Sequence, residues 1–346
     1  MELNISRSRN DLALDVDSVA TLIVNTQRKS GEIPWCEGKQ TDPWDHIEAA
    51  MGLNIGGYFA EARHAFNWAA QNQLSDGSWY ATYINGVPED KTRDANMSSY
   101  ISVGVLHDYL ITNDKPFLQE MWETIYRAIE FALSLQAPGG EIHWAISPEG
   151  KRDPMALLTG SSSIYLSLKS ALVIAKEIGY SMPAWEEALV KLGGAIRHKP
   201  YHFNMTKSRF SMYWFYPILS GALTGEQAQN RIDQYWKKYV VEGHGAKCVN
   251  DEPWVTIAET AELSLALSAM GNLTLAEIVF NWISGKRFDD GSFWCGYTVP
   301  DITLWPDDKL TWTNAAVLMA ADAIYDLTTA GKLFSHRFWE SSGLSL

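Results

Sequence analysis

Asp76-Gly77-Ser78-Trp79 and Asp290-Gly291-Ser292-Phe293-Trp294 are two copies of one phrase. The first is followed by Pro88-Glu89-Asp90-Lys91 and Asp94-Ala95-Asn96. The second is followed by Pro306-Asp307-Asp308-Lys309 and Thr311-Trp312-Thr313-Asn314. Pro88 to Asn96 and Pro306 to Asn314 have the same spacing, and each copy opens a helical pattern, reaching Asp108 and Asp322. An internal repeat of turn, polar loop and incoming helix sets the architecture before any other reading.

The turn recurs elsewhere. Gln27-x3-Gly31-Glu32-Ile33-x-Trp35 matches Gln136-x3-Gly140-Glu141-Ile142-x-Trp144, and Gln73-x3-Gly77-x-Trp79 and Arg287-x3-Gly291 are further versions. Glycine suits a helix C-terminus that ends in a left-handed residue, and the Trp can wedge the helix ends. Weaker turns at His198-Lys199-Pro200 and Gly243-His244-Gly245 bring the total to six.

Between the turns the periodicity predicts about twelve helices and almost no strand, apart from short extended pieces near the turns. Asp42-Pro43, Asp153-Pro154 and Glu252-Pro253-Trp254 read as an acidic cap followed by proline in the first helical turn. The helices starting near Pro43, Asp94, Pro154, Ser208, Pro253 and Thr311 are rich in Ala, Ser and Gly; the intervening ones carry charge on one face. Small residues suit close packing in an inner ring and charged faces an outer one. The expectation is an all-α, (α/α)6 toroid in one domain over 1–346, with a polar N-terminal arm (1–14) and a C-terminal tail (331–346).

The net charge of −13 argues against nucleic acid or an anionic membrane as a partner. No basic region followed by an apolar run opens the chain, and no apolar run suggests membrane insertion, so a cytoplasmic protein is expected. The cysteines, Cys36, Cys248 and Cys295, form no disulfide framework. They follow turns that a closed ring makes neighbours, but no His or carboxylate stands beside them at ligand spacing. No metal and no cofactor is expected.

In such a ring the loops before the inner helices line one funnel, and 15 Trp residues call for a role there. Carboxylates beside indole faces suit a sugar cleft, where acids exchange protons with a glycosidic oxygen and indoles stack on pyranose rings. Candidate catalytic residues are Glu259, Asp45, Asp94 and Glu48. Candidate substrate-binding residues are Trp44, His46, Arg93, Asn96, Tyr213, Trp254, Asp307 and Trp312. Glu259, among apolar neighbours, is read as the acid, with Asp45 or Asp94 as the ionised partner and Arg93 beside them. Duller roles stand next to these: Asp42, Asp153 and Glu252 as caps, Trp35, Trp79 and Trp144 as turn wedges, and Arg93-Asp94 as a structural ion pair.

Asp42-Pro43-Trp44-Asp45-His46-Ile47-Glu48-Ala49-Ala50-Met51, Gly160-Ser161-Ser162-Ser163-Ile164-Tyr165 and Pro253-Trp254-Val255-Thr256 with Glu259-Thr260 resemble bacterial toroid proteins called prenyltransferase-like or squalene-oxidase-repeat proteins. That resemblance implies the fold. The chain lacks the Asp-x-Asp-Asp acid of class II terpene cyclases and shows no prenyltransferase zinc set. Leu310-Thr311-Trp312-Thr313-Asn314-Ala315-Ala316 and Gly160-Ser161-Ser162 are similar to segments of glucoamylase-type six-hairpin glycosidases. Met155-Ala156-Leu157 stands where that family carries a Glu pair. The first functional reading is a glycosidase-like enzyme acting on a small-molecule or oligosaccharide substrate. A terpenoid or prenyl-substrate enzyme and a non-catalytic sugar-binding toroid are the alternatives.

Overall fold

A computed structural model describes residues 14–343. The expected arm (1–14) therefore lies outside the described residues, except for Leu14. The described helices are α1 (Val16–Thr26), α2 (Pro43–Gly56), α3 (Phe59–Asn72), α4 (Ala95–Ser99), α5 (Ile101–Thr112), α6 (Lys115–Ser134) and α7 (Leu158–Glu177). They continue as α8 (Pro183–His198), α9 (Ser211–Leu219), α10 (Gly225–Tyr239), α11 (Ile257–Ala269), α12 (Leu273–Ile283), α13 (Thr311–Tyr325) and α14 (His336–Ser342).

The architecture is an (α/α)6 toroid. Contacts run from α2 to α5, α7, α9, α11, α13 and back to α2, closing an inner ring. Helices α3, α6, α8, α10 and α12 pack outside it, and α1 lies against α2 and α13 to complete the outer layer. The inner helices are buried nearly all round. Every residue of α11 is buried, and so is every residue of α13 except Trp312 and Ala323. Serine and threonine fit this interior by donating to the carbonyl one turn back: Ser162 to Leu158, Ser170 to Leu166, Thr260 to Thr256 and Ser264 to Thr260. Helix α7 is long and apolar enough to cross a membrane, yet 83% of its apolar window is buried within the ring, which makes it a core helix.

The repeat motif has a mechanical reading. Gln27 Nε2 donates to the Gly31 carbonyl (3.1 Å) and to the Glu61 carbonyl in α3 (2.9 Å). Gln73 does the same to Gly77 and to Thr124 in α6 (2.9 and 2.8 Å). Gln136 does it to Gly140 and to Ala188 in α8 (3.1 and 3.0 Å). One amide thus ties each turn to the next outer helix. The glycine is required twice over. At Gly77 φ is +91°, and an added Cβ would lie 2.1 Å from the Arg127 carbonyl oxygen.

The polar loops add a second tie. Asp76 accepts from the Ser78 amide and hydroxyl and pairs with Arg93. Asp290 does the same with Ser292 and Lys309. The repeated phrase is therefore a structural clasp.

The short extended pieces near the turns form ten short strands among the described residues, paired in small sheets at the funnel end. Two expectations are corrected. Asp153-Pro154 and Glu252-Pro253 lie in or beside two of these strands, Arg152–Ala156 and Trp254–Thr256, so they do not cap helices, and α7 and α11 start later. Proline is tolerated on such edges because it has no N–H to pair. Asp42 does cap α2, and Asp94 caps α4. The segment read as a tail carries α14 and buries Leu333, Phe334 and Trp339.

Gln73→Ala removes two hydrogen bonds and leaves the Gly77 carbonyl without its side-chain partner, while the Thr124 carbonyl lies inside α6 and keeps its helical bond. The expected loss is about 1–3 kcal/mol of stability, read as a lower denaturant midpoint at unchanged slope. A midpoint equal to that of the unaltered protein counts against the clasp.

Candidate active site

The N-terminal ends of the inner helices converge on the funnel, and two of them carry matched acids. Asp45 and Glu48 are the third and sixth residues of α2; Glu259 and Glu262 are the third and sixth of α11. Each pair is spaced i, i+3, which stacks side chains on one helix face. In the ring, α2 and α11 both flank α13. The result is two tiers of carboxyls: Asp45 and Glu259 nearer the mouth, Glu48 and Glu262 one turn deeper.

The deep tier is the drier. Glu48 and Glu262 are 4% and 6% exposed. Burial pushes the Glu48 carboxyl up to about 8, against a hydrogen bond from Trp44 Nε1 (2.8 Å) that favours its charge. Burial, then Glu48 and Glu259, push Glu262 well above the usual carboxylate range. Tyr100 and Tyr216 face these two acids, and both rings pack on Trp44 with centroids 5.6 Å away.

In the upper tier, Asp45 is half-buried and its amide donates to Asp42 Oδ1 (2.9 Å). Burial, then Asp42 and Glu48, raise its carboxyl well above the ordinary value. Glu259 is buried, and its Oε2 has no partner in the protein. Burial and then Glu259 push the neighbouring Cys248 thiol upward. The three cysteines are free, and among the described residues no group of three or more His, Cys, Asp or Glu could hold a metal ion.

Asp94 lies on the same funnel wall. Its Oδ1 accepts from the amides of Asn96 (2.7 Å) and Met97 (3.0 Å). Burial lifts it to about 6, with these two bonds opposing. Asp94 and Asn96 border a cleft of about 150 Å³ that Trp44 and Trp144 also line. A cavity of about 600 Å³ lies at the other end of the ring, between α5, α7 and α14, and none of the site residues named here borders it.

Other candidates fall elsewhere. His46 is fully buried: its Nδ1 accepts from the Ile33 amide, its Nε2 bonds the Ala65 carbonyl, and burial lowers it to about 4. It braces a turn and does not face the funnel. Arg93 pairs with Asp76 as part of the clasp and not with Asp94. Tyr213 turns outward, its hydroxyl on Met205 Sδ and its carbonyl on Arg231 of α10; Tyr216 takes the lumen position. Asp307 is exposed on the rim, and Asp308 turns inward to Cys36 (3.9 Å). Trp254 sits half-buried on the rim, donating to the Trp305 carbonyl (2.7 Å) with the rings edge-on. Trp312, half-buried, leaves its Nε1 unpartnered.

Reading the sequence left Glu262 and Tyr100 out. The signal for Glu262 was present, because Glu259-x2-Glu262 repeats the spacing of Asp45-x2-Glu48. Nothing in the local sequence singles out Tyr100 among fifteen tyrosines.

No family model matches the chain. An MMP endo-(1,4)-3-O-methyl-alpha-D-mannosidase of Mycolicibacterium hassiacum is 47% identical over 315 residues, covering 91% of this chain and 87% of that protein. The chain belongs to that mannosidase family. It is a glycosidase-like carbohydrate-active enzyme, and a lumen holding several acids suits a sugar better than a polyprenyl chain. Solved structures show the same fold at low identity. A mannosylglycerate hydrolase from Thermus thermophilus, in complex with Tris and D-glycerate, is 10% identical with a TM-score of 0.70, over 88% of this chain and 99% of that one. A D-mannose isomerase is 13% identical with a TM-score of 0.71, over 94% and 100%. A structure described as a wild-type glycosidase is 14% identical with a TM-score of 0.68, over 90% and 97%. The glycosidase-like resemblance is supported; none of these relatives carries a prenyltransferase name.

Asp94 gives a pH test. Its folded value is raised, so its contribution to stability is full below the ordinary carboxylate range and is lost as pH rises through about 6. Asn can still accept the two amide bonds. Asp94→Asn should therefore gain in melting midpoint relative to the unaltered protein between pH 4 and pH 8. Parallel pH profiles for the two proteins contradict this.

Proposed function

We propose that this protein is an endo-acting α-mannosidase that cleaves within (1,4)-linked 3-O-methylmannose chains, the substrate named for its relative at 47% identity. The chemistry is read from Asp45 and Glu259, each in the first turn of an inner helix that packs on α13. Hydrolysis needs one carboxylic acid to protonate the leaving oxygen and a second carboxylate to act as base or nucleophile. Asp45 is the donor: burial and its acidic neighbours keep its proton on, and it is the more open of the two. Glu259 is the partner. This reverses the roles read from the sequence. The ring acts as one domain, with Trp254 and Trp305 on the rim as stacking faces for neighbouring sugars.

The lower tier positions the upper. Glu48 accepts from Trp44, next to Asp45 in sequence, and is uncharged below about pH 8. A neutral amide can stand in for it. Asp45→Asn and Glu259→Gln should each lower kcat by about 10²–10⁴-fold, while binding persists. Glu48→Gln should keep most of its activity at pH 6–7. Digests of a (1,4)-linked 3-O-methylmannose oligosaccharide, sized by mass spectrometry, should show internal cleavage products. Release of single sugars only, or full activity in Asp45→Asn, rejects the assignment. Activity should also fall on the alkaline side as Asp45 loses its proton.

A further inference from the structure

The cleft beside Asp94 has an unusual lining for a sugar enzyme. It measures about 150 Å³ and is walled by Met97, Ile142, Leu157 and Ile164, with Trp44 and Trp144 as its aromatic sides. Trp44 precedes Asp45 and donates to Glu48, so the cleft adjoins the carboxyl tiers. Three residues on its wall carry buried polar atoms without a protein partner: Asn96 Oδ1, Trp144 Nε1 and Ser161 Oγ. Unpaired buried polar atoms in a native fold call for an explanation, and a ligand is one.

A free sugar hydroxyl fits this lining poorly. It would exchange water for an apolar wall and lose hydrogen bonds that Met97, Ile142, Leu157 and Ile164 cannot replace. A methyl ether has no proton to donate and presents a CH₃ that gains by burial. The polar atoms at the edge then have work that fits a ring substituted at one position: Asp94, Asn96 and Trp144 meet the adjacent hydroxyls and the ether oxygen.

We infer that this cleft is the subsite that reads the O-methyl group, with the methyl seated among Met97, Leu157 and Ile164 and the pyranose edge held by Asp94, Asn96 and Trp144. The inference rests on the mannoside reading above and adds where the methyl group is recognised. Only methylated sugars fill the apolar end; an unmethylated one leaves it bare or drags a hydroxyl into it. Discrimination for one such group in an apolar pocket is about 10–200-fold.

Two substitutions alter the cleft without threatening the fold. Leu157 is the half-exposed cap residue of α7 and makes no capping bond there; Asn is a good cap and makes that wall polar. Gly160 has no positive φ, and a Cβ added there meets only ordinary contacts, with Asn96 Cβ at 3.6 Å and Leu157 Cβ at 3.8 Å. Gly160→Ala therefore fills part of the space and suits the helix.

The experiment compares binding of methyl 3-O-methyl-α-D-mannopyranoside with that of methyl α-D-mannopyranoside by calorimetry. The unaltered protein, Leu157→Asn and Gly160→Ala are titrated, with melting midpoints recorded to confirm folding. The unaltered protein should bind the methylated sugar at least about tenfold tighter, and both variants should bring the ratio close to one. Equal affinities in the unaltered protein overturn the inference, as does a preference that survives in both variants. The hydrolase reading fails separately, as absent cleavage of the oligosaccharide in a protein that still prefers the methylated sugar.

Discussion

One side-chain amide fastens this ring. In Gln27, Gln73 and Gln136 the amide nitrogen bridges the carbonyl of its own turn glycine and a carbonyl in the next outer helix. The turn carbonyl needs a partner, and the glutamine supplies one while holding the neighbouring hairpin to it. The glycine lets backbone approach backbone where any Cβ would collide. Made at three successive turns, the bridge holds α3, α6 and α8 to the turns before them, in a ring whose last inner helix, α13, packs against the first, α2.

Closure has a price in burial. The inner helices have no outward solvent face, so their sequences are small and weakly amphipathic, and the hydroxyls of Ser162, Ser170, Thr260 and Ser264 are satisfied by the helix itself. Any acid pointing into the lumen is then desolvated. That is the origin of the raised values at Asp45, Glu48, Glu262 and Asp94, where burial is the largest cause in each case. The acids also repel one another across the ring. Such crowding costs stability and is of the kind found where proton transfer is needed. The clasp and the buried Trp-Tyr packing hold the acids in place against it.

The short sheets refine this picture. Two three-stranded sheets sit at the funnel end, one joining Arg93-Asp94 to His143–Ile146 and Arg152–Ala156, the other joining Trp254–Thr256 to Gly296–Thr298 and Thr303-Leu304. They cross-link loops from different units, so the funnel wall is rigid where it carries Asp94 and Trp254. A rigid scaffold for loop-borne groups is what precise placement of a scissile bond requires.

The fold was legible in the sequence because its signals are local and repeated: the Gln-x3-Gly turns, the Asp-Gly-Ser phrase, the small-residue helices and the Asp42 cap. Asp45 and Glu48 could be placed together because i, i+3 spacing decides it within one helix. The role of Asp153-Pro154 and Glu252-Pro253 was not legible, since acid-proline pairs suit both a helix cap and a sheet edge, and only pairing with a distant partner chooses. The same limit governed the site. His46, Arg93 and Tyr213 carry suitable chemistry, yet their orientation depends on Ala65, Asp76 and Arg231, which are close only in the folded ring. Whether Glu262 meets Glu48, and Tyr100 meets Tyr216, depends on helix rotation about the toroid axis. Residues far apart along the chain set that rotation by packing, and no local pattern records it.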